Sequence, residues 1–105
     1  MAVRLELIGI TCHEPATSFG DDIRIFVNDL AVGDQFNIDK GGSRNLGGYK
    51  FDFSGQAVIT FTEDNDPCEA KIVVEESMVG TTTQRRDFKI KDDGKYSISF
   101  QVVPC

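Results

Sequence analysis

Tryptophan is absent from this sequence, histidine occurs once and cysteine three times in 105 residues. The single histidine, His13, leaves a Ser-His-Asp arrangement one base to use, and no G-x-S-x-G turn is present to hold a nucleophile. A structural zinc site needs four ligands close together, so Cys12, His13, Cys68 and Cys105 would all have to meet. The pattern Gly-Lys-Ser/Thr is missing, which removes a P-loop. Basic residues are few: 11 Lys and Arg stand against 17 Asp and Glu, a net charge of -6. That balance offers no cationic footprint for nucleic acid or an anionic membrane. No run approaches the ~18 apolar residues of a transmembrane segment. The opening residues, Met1 to Leu7, alternate charged and apolar side chains and do not read as a secretory leader. What remains is mainly a binding module in one domain, residues 1–105, with no enzymatic activity expected.

What is present has a period of two. Val3, Leu5 and Leu7 alternate with Arg4 and Glu6, and Ile23, Ile25 and Val27 with Asp22, Arg24 and Phe26. Tyr49, Phe51 and Phe53, then Ala57, Ile59 and Phe61, then Tyr96, Ile98, Phe100 and Val102 repeat the pattern. Alternation of this kind belongs to half-buried strands, because successive side chains point to opposite faces. Segments 30–38, 71–76 and 81–90 complete eight strands, and no window carries helical spacing. Asn28-Asp29, Ser54-Gly55, Val79-Gly80 and Asp92-Asp93-Gly94 punctuate them as turns. The expected fold is all-β: an antiparallel β-sandwich of two roughly four-stranded up-and-down sheets, legume-lectin-like or jelly-roll-like. Phe51, Phe53, Phe61 and Phe100 are its expected core.

If each strand reverses the one before, the connections 13–21, 39–48, 63–69 and 91–95 share one end, and the tight turns share the other. The long-loop end then collects ten acids (Glu14, Asp21, Asp22, Asp39, Glu63, Asp64, Asp66, Glu69, Asp92, Asp93) against Lys40, Arg44, Lys91 and Lys95. The difference of six equals the net charge of the whole chain. Cys12 and Cys68 fall at this end and are the disulfide candidate, with three reduced thiols as the alternative; Cys105 falls at the other. The run Glu63-Asp64-Asn65-Asp66 supplies closely spaced oxygens such as calcium takes. If calcium binds, Asp64 and Asp66 with Asp22 and Asp93 are its expected ligands. No other metal or cofactor is expected. These acidic loops resemble in outline those of C2-type sandwiches, which bind calcium and then a membrane surface; the alternative is that they are solubilising turn residues.

The segment Gly41-Gly42-Ser43-Arg44-Asn45-Leu46-Gly47-Gly48-Tyr49 reads as a ligand loop. Sugars need donors and acceptors for neighbouring hydroxyls and an apolar face for their C–H side. Asn45, the backbone at Gly47 and Gly48, and Tyr49 provide that kit, and the strand count adds His13, Asp64 and Asn65 at the same end. Alternation gives Tyr49 a second place, in the core in step with Phe51. A polar sheet face with Arg24, Lys50, Asp52 and Arg85 is an alternative sugar site.

In length, in its Met1-Ala2-Val3 start and in its eight strands, the chain resembles the slime-mould hemagglutinins, small lectins with a legume-lectin-like sandwich. The resemblance implies a protein that binds glycans on glycoproteins or cell surfaces and acts outside the cell without a visible signal peptide. The sequence alone leaves a cytoplasmic location open. It also implies that Asp64, Gly47 or Gly48, Asn45 and Tyr49 answer to the Asp, Gly, Asn and aromatic of the legume-lectin site, in a different order along the chain. Agglutination requires two sites, for which Cys105 or an exposed edge strand offers a homodimer. The alternative function is a C2-like, calcium-dependent module that binds membranes or proteins.

Overall fold

The computed structural model describes residues 2–17, 19–63, 70–80, 82–90 and 94–105. The alternating segments become β1 (Val3–Glu14), β2 (Asp21–Val27), β3 (Leu30–Ala31), β4 (Phe36–Ile38), β5 (Ser43–Asn45), β6 (Lys50–Phe53), β7 (Gln56–Glu63), β8 (Ala70–Glu75), β9 (Gln84–Ile90) and β10 (Gly94–Pro104). A single 3-10 turn at Glu76–Met78 is the one helical element among the described residues. The first sheet runs β9–β10–β1, with β5 and β6 both pairing the free side of β1. The second runs β8–β7–β2, with β3 and β4 both on β2. Ten strands therefore fill eight sheet positions in two antiparallel layers, the sandwich the alternation predicts.

The chain changes layer after β1, β4, β6 and β8. Ser54-Gly55 is for this reason a corner between layers rather than a hairpin turn, with Gly55 at a φ of 77°. Asn28 and Asp29 do form the hairpin turn expected of them, both at positive φ. The predicted strand 30–38 is broken at 32–35. Gly33 sits there at a φ of 65°, and a Cβ on it would stand 2.5 Å from the Tyr49 hydroxyl, so only glycine fits.

The largest correction concerns 41–48, expected as a loop at the long-loop end. Gly41 N–H donates to Cys12 at 2.8 Å, Cys12 N–H to Gly42 at 2.9 Å, and Leu46 N–H to Ile8 at 2.8 Å. The segment is an interrupted edge strand running down β1, pinned by the buried Leu46.

Inward residues of both layers make one core. Phe53, Phe61 and Phe100 are buried in it as expected, while Phe51, near the sheet edge, is partly buried against it. Phe61 of the second sheet stacks on Phe88 at 4.0 Å, and Phe88 stacks on Tyr96 at 5.6 Å, so three rings tie the layers together. In β1 the inward series Val3, Leu5, Leu7 continues as Ile10 and Cys12. An irregularity between Leu7 and Gly9 shifts the phase by one residue. That shift buries Cys12 and turns His13 outward.

Candidate functional site

The strand ends assemble as the strand count requires. Glu14 lies opposite Lys95, Asp21 opposite Ile38, Ile23 opposite Glu63 and Gly94 opposite Ile90. One residue organises this end. Asp21 is wholly buried; its Oδ2 accepts Ala16 N–H at 2.7 Å and the Tyr96 hydroxyl, and its Oδ1 accepts Thr17 N–H at 3.0 Å. The Tyr96 proton is thus committed to Asp21, with the Cys12 thiol beside the same hydroxyl. Burial first raises the Cys12 thiol above its ordinary range, which keeps it protonated and unreactive. Its proposed disulfide partner, Cys68, lies outside the described residues.

Burial, then the bonds to Asp21 and Cys12, push the Tyr96 phenol far above its ordinary value of 10. The sign follows by linkage: as pH rises past 10 the unfolded chain releases this proton and the folded chain keeps it, so stability falls. Melting temperatures measured on either side of pH 10 are expected to drop more steeply for the wild type than for Tyr96→Phe. Equal slopes would remove Tyr96 as the cause.

Above this buried base stands Phe19, which is 90% exposed. The polar context Thr17-Ser18-Phe19-Gly20 was the sequence signal for it: an apolar ring among turn formers, out of phase with any strand.

His13 lies on the outer face of the first sheet at the same end. Its Nε2 is 2.5 Å from Ser97 Oγ; Arg85 Nη2 donates to that oxygen at 2.9 Å, and Ser97 Oγ donates to Asp87 Oδ1 at 2.7 Å. With its one proton committed to Asp87, Ser97 accepts from both His13 and Arg85. A nucleophilic serine needs the opposite polarity, with the imidazole receiving its proton. Cys12 and His13 face opposite sides of β1, so they form no dyad either.

The other expected sugar residues lie elsewhere. Asn45 pairs with Gly9, four residues back from His13 along β1, or about 14 Å at ~3.4 Å per residue. Asn45, Tyr49, Gly33, Asp34 and Arg44 line a hollow of about 80 Å³ at the side of the sandwich, where the Arg44 guanidinium lies 4.6 Å above the Phe36 ring. This space is well below the ~300 Å³ at which small-molecule sites begin. Asn45 Oδ1 already accepts Gly47 N–H at 2.7 Å. Tyr49, 39% exposed, covers the sandwich edge instead of entering the core. Gly47 and Gly48 follow Asn45 along this edge, away from His13.

Of the alternative sheet face, Lys50, Asp52 and Arg85 do share the first sheet, on opposite edges, whereas Arg24 belongs to the second. Lys50 pairs with Glu6 and Asp52 with Arg4. Cys105 is exposed; local desolvation, then its bond to Asp52, raise its thiol, which lowers the thiolate fraction available for an intermolecular disulfide.

For calcium, Asp64, Asn65, Asp66 and Asp93 lie outside the described residues. Asp22 accepts from Asn37 at 3.0 Å, and Asp21 is occupied by protein donors. Among the described residues no three His, Cys, Asp or Glu side chains could hold a metal ion.

No family model and no curated protein matches the sequence. Among solved structures, one titled "Structure of a C2 domain" superposes with a TM-score of 0.60 over 95% of this chain and 97% of that one, at 9% identity. The fold is a C2-like β-sandwich. Among the described residues no helix is long and apolar enough to cross a membrane.

Proposed function

We propose that this chain is a non-catalytic, C2-like binding module that docks on a membrane surface with its long-loop end. Phe19 carries the reading: its ring is 90% exposed on a loop whose base Asp21 holds from beneath. A phenyl transferred from water to the headgroup–acyl boundary contributes about 1.5–3 kcal/mol. That is roughly a tenfold to hundredfold gain in affinity. The polarity of the Ser97 hydrogen bonds supports the absence of catalysis. The acids gathered at this end favour zwitterionic over anionic lipid, unless a cation intervenes. Calcium enters as a variable of the test, since the described residues do not assemble its ligands.

Co-sedimentation with phosphatidylcholine vesicles, with or without phosphatidylserine and in calcium or EDTA, tests the reading. Wild-type protein is expected on phosphatidylcholine in both conditions, and Phe19→Ser is expected to weaken that binding by about tenfold or more. Phosphatidylserine is expected to reduce binding in EDTA. Absence of binding to every vesicle, or full binding by Phe19→Ser, rejects the proposal. A glycan array run with the same protein tests the carbohydrate reading: sugar binding without vesicle binding would restore it.

A further inference from the structure

Lys89 of β9 and Lys95 of β10 stand directly opposite each other in the first sheet. Like charges at such positions repel and destabilise the strand pair. Among the described residues neither has a carboxylate partner, although the chain carries an excess of acids. The nearby described acids are already engaged. Asp87 lies 3.5 Å from Arg85 and takes the Ser97 proton, and Glu14 pairs with Lys40 at 3.7 Å. The two lysines, with His13 and Asp87, wall a hollow of about 340 Å³, completed by Phe88 and Tyr96. This is the size range of a small-molecule site. Arg85 stands behind it, donating to Ser97, with its Nη2 3.3 Å from His13 Nε2.

We propose that this hollow is an anion site, taking a ligand with a phosphate- or sulfate-type oxyanion. Two ammonium groups with no carboxylate partner among the described residues fix the charge of the ligand. Such an oxyanion set between the lysines replaces their repulsion by two charge-assisted contacts, and the His13 ring closes the third side. No residue of the Phe19 loop lines the hollow, and the proposal does not depend on membrane docking.

Because His13 is the single histidine, its ring resonances report on the hollow without overlap. Titration with inorganic phosphate and with sulfate, at fixed pH and with chloride holding ionic strength constant, is expected to shift them saturably. Chloride alone is expected to shift them little. In Lys89→Gln/Lys95→Gln the apparent affinity is expected to fall by about tenfold or more. The double variant should also melt no lower than wild type in chloride, since it loses a repulsion, and should gain less from phosphate. Vesicles of phosphatidylcholine with phosphatidic acid distinguish the source. A His13 shift with free anions assigns a soluble ligand, and a lysine-dependent shift with these vesicles alone assigns a lipid headgroup. No saturable shift with either, or an undiminished one in the double variant, overturns the proposal. The Phe19→Ser protein serves as the control: it should bind phosphate like wild type whatever its vesicle binding.

Discussion

Replacing Asp21 by alanine is expected to lower folding stability by about 3 kcal/mol, the cost of unpairing a buried donor and losing charge-assisted bonds. The substitution strands the Tyr96 hydroxyl, which is buried, and leaves Ala16 N–H and Thr17 N–H to find water. A double-mutant cycle with Tyr96→Phe separates these terms. Once Asp21 is gone, removing the Tyr96 hydroxyl should cost little or even restore stability, so the two losses should be strongly non-additive. Urea unfolding of the four proteins measures this. Additive losses would mean that the hydrogen bond contributes nothing to the folded state. The same substitution reaches function through the loop. With Ala16 and Thr17 untied, Phe19 should lose its fixed presentation, so vesicle binding should weaken even at temperatures where Asp21→Ala is fully folded.

Phe61→Ala is expected to cost about 3–5 kcal/mol, the range for truncating a buried aromatic. For a domain of this size that is a large share of a total stability of roughly 5–15 kcal/mol. Phe61 is wholly buried and starts the stack through Phe88 to Tyr96, so its loss opens a cavity between the layers next to the Asp21 network. Phe61→Leu keeps much of the volume and should retain most of the stability. Phe51→Ala, at the partly buried edge, should cost clearly less than Phe61→Ala. Urea midpoints rank the three. A Phe61→Ala protein as stable as Phe51→Ala would contradict the packing described.

Strand alternation was legible in the sequence because the inward positions carry the branched and aromatic side chains, and this follows from a period of two alone. The gathering of β1, β2, β7 and β10 at one end followed too, since antiparallel succession fixes it without any knowledge of which strands pair. Composition likewise argued against metal-thiolate and nucleic-acid chemistry. The segment around Asn45 and Tyr49 shows where such reading stops. Its glycines mark a loop when read locally, yet hydrogen bonds to β1, far away in sequence, make it an edge strand and carry those residues away from His13.

An all-β sandwich was readable from the sequence, along with the expectation of an acidic end. Tertiary structure decided what that end presents. The irregularity at Leu7–Gly9 shifts β1 by one residue, and that single shift sends Cys12 into the core and His13 toward Ser97 and the paired lysines. Asp21 looks in sequence like one more solubilising acid or a cation ligand. Only the approach of Tyr96 from the other sheet makes it the buried anchor of the loop that carries Phe19. Both outcomes depend on contacts between strands far apart in the chain, and a side chain's role there is set by which partner reaches it, which no local pattern encodes.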